Sequence, residues 1–192
     1  MTSSPTTERA TYADLEQLPE HVVGELVDGV LRASPRPAVP HAHACTALTT
    51  ELAARFERAL GGPGGWRFLF EPELHLGDDV FVPDVAGWRI DTLPSLPVAP
   101  AITTVPDFIA EVASPSTARW DLRVKLPRYH NLGVGHVWIV RPLEHVVEAF
   151  RNAPDGWYLA GAFCDEPDAR IEPFMAAPLD VRSWWIPEAS SP

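Results

Sequence analysis

The chain has 192 residues, with 26 acidic side chains against 15 basic ones and a formal net charge of −11 at pH 7. A chain of this length buries roughly 70% of the surface it exposes when unfolded, so one hydrophobic core is expected. The acidic balance excludes a generally basic, phosphate-seeking surface, and any nucleic acid would have to be held by a local patch working against the field of the whole molecule.

In chain order, Thr11 opens a short helix, with Asp14 three residues later as a variant of the capping box and Pro19 as its stop. Gly24 to Leu31 places two apolar arms around Asp28-Gly29, the strongest short-range hairpin signal. Leu48, Leu52, Phe56 and Leu60 recur every four residues, which predicts a helix stopped by the glycines of 61–65. Strands are predicted at 66–71, 73–76, 80–82 and 85–88, with a turn at Gly77-Asp78-Asp79.

After a proline-rich loop, Phe108 to Ala113 reads as a buried strand whose one anomaly is Glu111. Ser114-Pro115 is a helix-start signature, and that helix would run toward Asn131 and Gly133. Strands at 136–140, 146–150 and 157–160 close the core. The predicted fold is α/β, or α+β in that strands outnumber helices: a mixed sheet flanked by helices. Residues 11–186 form the expected single domain, between disordered tails at 1–10 and 187–192.

Cys45 and Cys164 lie far apart without a C-x-x-C pair, so neither a disulfide framework nor a cysteine zinc site is expected. No apolar run approaches a membrane span, and a cytoplasmic location is expected.

Three charged residues stand out. Glu111 alternates onto the same strand face as Ile109 and Ala113, where an unpaired carboxylate costs several kcal/mol unless a cation or donors compensate it. Asp84 follows Pro83 at the start of another strand. Lys125 is the one Lys among fifteen bases, and Thr117, Asp121 and Lys125 share a helical face. Two strand carboxylates and a lysine are the parts of metal-dependent phosphodiester hydrolysis: hard oxygen ligands suit Mg²⁺, and a compact ammonium does what a planar guanidinium does not.

The plainer readings are an i,i+4 surface ion pair for Asp121 and Lys125, a structural pairing of Glu111 with Arg123 or Arg128, and a solvated face for Glu25. His41-x-His43 lacks further ligands at metal spacing, so a solvated or capping role is expected on spacing alone. Trp138, Trp184 and Trp185 read as core anchors.

The order Tyr12…Leu18-Pro19…Glu25-Leu26-Val27-Asp28-Gly29, His41, Val82-Pro83-Asp84-Val85, Pro106 to Thr117, Asp121-x-x-x-Lys125-x-x-x-Tyr129 and Gly133-Val134-x-x-Val137-Trp138 resembles the bacterial Uma-type restriction endonucleases of the PD-(D/E)XK superfamily. The resemblance runs from about Tyr12 to Tyr158. It implies a restriction-endonuclease-like core acting on DNA with Mg²⁺, or Mn²⁺, and a homodimer. Asp84 and Glu111 match the two metal-binding carboxylates and Lys125 the catalytic lysine, with Glu25 and His41 as auxiliary groups. The superfamily's usual lysine position, two residues after the acid, is Ala113 here, and the family pattern moves the lysine to the following helix. Two departures are Pro127, expected to kink that helix, and Arg141, where the family commonly has Asp.

Residues 117–151 carry a net charge of +3, and Arg119, Arg123 and Arg128 are the expected nucleic-acid contacts. The reading from a different class is a nuclease-fold binding or assembly module that has lost turnover.

Overall fold

A computed structural model describes residues 9–19, 22–34, 37–114 and 117–187. Pro115 and Ser116 of the predicted helix start lie outside these residues, as do positions 1–8 and 188–192 of the expected tails. Helix α1 spans Tyr12–Leu15, with the Thr11 N–H and hydroxyl both donating to Asp14 Oδ2 at 2.8 Å. Strands β1 (Val23–Val27) and β2 (Val30–Ser34) form the expected hairpin. Its two-residue turn needs positive φ at both positions, and Asp28 (53°) and Gly29 (73°) supply it.

Helix α2 spans Val39–Leu52 and continues as a π-helical turn over Ala53–Glu57. Leu48, Leu52 and Phe56 are buried as their spacing predicts, whereas Leu60 is 64% exposed. The wide last turn adds a residue and breaks the four-residue return to one face, and the helix ends before Leu60.

Strands β3 (Trp66–Phe70), β4 (Leu74–Leu76), β5 (Asp79–Phe81), β6 (Val85–Arg89), β7 (Phe108–Val112), β8 (His136–Arg141), β9 (Val146–Ala153) and β10 (Gly156–Phe163) complete two sheets. One has the order β2-β1-β5-β4 and the other β10-β9-β8-β7-β6-β3. The larger sheet is antiparallel except for β7 and β8, which run parallel. A parallel pair needs a crossover, and helical residues 118–132 supply it.

That crossover is helix α3 (Ala118–Trp120), a π-helical turn over Asp121–Lys125 and helix α4 (Leu126–Leu132), ended by Gly133 in the left-handed region at φ 85°. The Leu126 N–H reaches back five residues to the Asp121 carbonyl. Pro127, next in the chain, has no N–H to give, so the disturbance expected at the proline is expressed as a wide turn just upstream of it.

The strand alternation of β7 divides the core. Phe108, Ala110 and Val112 face a cluster with α2, Trp138, Phe174 and Trp184, while Ile109 faces a second cluster with Leu126 and Tyr129. Phe174 lies against the rings of Phe56, Trp66, Phe68, Phe108 and Trp138. Trp138 stacks on Trp184, so these indoles are core groups. Glu51 fastens the C-terminal segment to α2, accepting from the Trp184 indole at 2.8 Å and the Asp180 N–H at 3.1 Å.

Candidate active site

Five separate pieces of chain wall one cavity of about 280 Å³: Glu25 from β1, His41 from α2, Asp84 just before β6, Glu111 from β7, and Asp121 with Lys125 from the crossover. All five residues singled out in the sequence line this cavity. Glu111 occupies the β7 face turned toward α4 and is 3% exposed, and Lys125 is 2% exposed. The wide turn keeps Asp121 and Lys125 both buried on that side.

The Lys125 ammonium is held by two carboxylates, 2.9 Å from Glu25 Oε1 and 2.6 Å from Glu111 Oε1, with Asp121 Oδ1 at 3.8 Å. Glu25 is buried rather than solvated, and it also accepts the Val82 N–H at 3.0 Å. The Tyr129 hydroxyl donates to Glu111 Oε1 at 2.7 Å. The structural partners considered for Glu111, Arg123 and Arg128, are replaced by Lys125 and Tyr129. Asp84 accepts the Val112 N–H at 2.6 Å and pairs with His41 Nε2 at 2.9 Å, so β7 and α2 fix its orientation from two sides. His43 turns away to the Trp185 carbonyl, 3.1 Å from its Nε2.

One ammonium serves three buried carboxylates, and the acid side of the site is left short of positive charge. Burial pushes the Glu111 carboxyl well above its ordinary range, against the pull of Lys125 and with Asp121 and Asp84 adding to the shift. Burial likewise raises Asp121. Lys125 is held well above the usual lysine value: burial opposes its charge, but Glu111 and Glu25 outweigh it. Both directions follow from sharing one cation. Burial works against a charged His41 ring, yet the bond to Asp84 and its charge raise the ring's affinity for a proton.

Glu71 is a further cavity residue that sequence reading missed. Its backbone sits at φ 44° with its N–H on the Asp84 carbonyl at 3.1 Å, and burial with the neighbouring Asp84 raises its carboxyl. Nothing in the local sequence announces that backbone conformation. Tyr129 did carry a signal, since it continues the 117, 121, 125 spacing by four.

The cavity therefore presents five carboxylates, from Glu25, Glu71, Asp84, Glu111 and Asp121, against Lys125, Arg32 and an ionisable His41. An oxygen-rich, cation-poor donor set of this kind fits a hard divalent ion, which takes few protein carboxylates and keeps waters.

Arg32 and Trp120 are shared with a shallower cavity of about 350 Å³ lined also by Arg119, Arg123 and Val124. The Arg32 guanidinium lies 5.0 Å over the Trp120 ring. Arg119 and Arg123 are exposed, four residues apart. Arg128, expected on sequence at the nucleic acid, has a partner within the fold. Its Nε donates to Asp79 Oδ2 at 2.8 Å and its Nη2 bonds the same oxygen, tying the crossover to β5. Asp79 is buried and also accepts the Asp28 N–H. Arg128→Ala should therefore lower stability by about 1–3 kcal/mol by leaving Asp79 short of a partner. Urea denaturation measures that loss.

Residues 10–182 match the profile of the Uma2 family, described as "Putative restriction endonuclease". The chain belongs to this family. Among solved structures, a "putative nuclease belonging to DUF820" from Anabaena variabilis is 21% identical, with a TM-score of 0.72 over 91% of this chain and 96% of that one. No curated protein matches the sequence. The Uma2 family is described as one of restriction endonucleases, and the solved structure shares this chain's fold. Among the described residues no helix is long and apolar enough to cross a membrane.

Proposed function

We propose that this Uma2 chain is a divalent-metal-dependent endonuclease that hydrolyses phosphodiester bonds in DNA. The observation that carries the reading is the convergence of Asp84, Glu111 and Lys125, from three elements, on one acidic cavity. Asp84 and Glu111 would hold Mg²⁺. When bound, the ion supplies charge for the phosphate and a more acidic water.

The chain's own residues do the positioning. Lys125 presents a full ammonium that Glu25 and Glu111 hold in place, where it can orient an attacking water or offset charge on a phosphate oxygen. His41 and the Val112 N–H fix the Asp84 carboxylate, and Tyr129 fixes Glu111. The test is cleavage of single- and double-stranded DNA by the purified protein in Mg²⁺ or Mn²⁺. Failure to cut any nucleic acid while still binding one would instead identify a nuclease-fold binding module.

The basic wall supports a phosphate-bearing substrate. Arg119 and Arg123 make no ion pair among the described residues, in a chain of net charge −11. Like charges at i,i+4 cost a helix about 0.2–0.5 kcal/mol, and a strand of phosphates next to the cavity would relieve that repulsion. Arg119→Ala and Arg123→Ala should each weaken DNA binding for all sequences alike and reduce the slope of log K against log salt by about 1. Fluorescence anisotropy in Ca²⁺, which occupies oxygen sites without supporting turnover, provides the measurement. An unchanged slope removes these residues from the interface.

A further inference from the structure

We propose that His41, Cys45 and Asp84 form a Zn²⁺ site at the back of the acidic cavity, and that filling it withdraws Asp84 from the hydrolytic centre. His41 and Cys45 are four residues apart on α2 and so share a helix face, and Asp84 comes to them from the segment before β6. One donor atom from each lies within 4.8 Å of the others, and His41 Nε2 is already 2.9 Å from Asp84 Oδ1. Three atoms no farther apart than that leave a point at most about 2.8 Å from each, so closing to Zn²⁺ bond lengths of roughly 2.0–2.3 Å takes less than an ångström per ligand.

The donor chemistry differs from the rest of the cavity. Thiolate, imidazole and carboxylate are a Zn²⁺ set, whereas Mg²⁺ takes oxygen alone. A thiolate and a carboxylate also balance the ion's two charges, which matters because Cys45 is buried. Burial pushes its thiol up, so the sulfur holds its proton in the metal-free protein and releases it to solvent as the Zn–S bond forms. A second observation marks the cluster as incomplete: His41 Nδ1 is buried and has no hydrogen-bond partner among the described residues. The site stands on these atoms alone, while the withdrawal of Asp84 rests on the endonuclease reading above.

Co²⁺ tests the site directly, because a thiolate ligand gives a charge-transfer band that oxygen and nitrogen ligands do not. Titrating the metal-free protein with Co²⁺ should give that band at one equivalent, with Zn²⁺ displacing it. Cys45→Ser should abolish the band, His41→Ala should weaken binding by more than about tenfold, and Cys164→Ser should leave it intact. No band in the wild-type protein, or one that follows Cys164, overturns the site even if Cys45→Ser does not fold. In Mg²⁺-supported cleavage, Zn²⁺ should inhibit the wild type and act at least about tenfold more weakly on Cys45→Ser. Equal inhibition of both, or none, overturns the withdrawal of Asp84. Absence of cleavage altogether would sink the endonuclease reading and with it the withdrawal, and the Co²⁺ spectra would still decide the site.

Discussion

Lys125→Met should abolish DNA cleavage, by at least about a hundredfold, and lower stability by about 3–5 kcal/mol. The substitution takes the ammonium from between Glu25 and Glu111 and leaves two buried carboxylates facing one another without their cation. Glu111, whose carboxyl burial already raises, relieves this by binding a proton, so the loss of stability should deepen as pH rises. Adding Glu25→Gln to Lys125→Met removes one of the stranded charges and should restore much of the stability while cleavage stays absent. That double substitution separates the fold from the chemistry: activity in the refolded double variant would exclude Lys125 from the reaction.

Glu111→Gln is expected to behave in the opposite way toward stability. Cleavage and divalent-ion binding should be lost, yet the protein should be as stable as the wild type at neutral pH or more so. Gln retains an acceptor for Tyr129, and Lys125 keeps Glu25. The sign follows from the raised carboxyl. A folded-state value above the unfolded one of 4.5 means that the native protein binds the proton more tightly. The stability this contributes is complete below the unfolded value and is lost as pH climbs through the folded one. Metal-free wild type should therefore become less stable as pH rises above the unfolded value of 4.5, with Asp121 and Glu71 adding to the trend in the same direction. Saturating Mg²⁺ should flatten the curve, and Glu111→Gln should make it shallower. Urea denaturation from acid to neutral pH, with and without the ion, reads all three. A Glu111→Gln variant that is several kcal/mol less stable at neutral pH would mean that its carboxylate is a structural ion-pair partner.

Much of this site is legible in the sequence because its anomalies are local. A glutamate in an apolar strand, an aspartate after proline and a solitary lysine each violate the pattern around them, and all three line the cavity. Helix and strand placement followed from period and turn chemistry, and failed where hydrogen bonding departs from the α pattern. Leu60 is exposed because α2 ends in a wide turn, and the crossover is two short helices around a second such turn. Period counting assumes a constant rotation per residue and cannot register either one.

Long-range pairing was the other blind spot. Arg128 is expected on sequence at the nucleic acid or beside Glu111, and nothing local points to its partner Asp79, 49 residues away. Cys45 has no cysteine partner at pairing distance in the sequence, although His41 stands one helical turn before it and only the fold adds Asp84. Glu71 depends on a left-handed backbone that carries no glycine to announce it.

The parallel pairing of β7 with β8 has a consequence for the protein during its own synthesis. Lys125 rides on the connection between those strands, and the connection cannot dock until β8, ending at Arg141, is available to lie beside β7. The other walls of the cavity, at residues 25, 41, 84 and 111, all emerge from the ribosome earlier. A chain that ends between the crossover and β8 thus carries every carboxylate of the centre and lacks the strand beside which the Lys125 connection packs. The seat of Lys125 is completed by a strand that the chain adds after Glu25, Asp84 and Glu111.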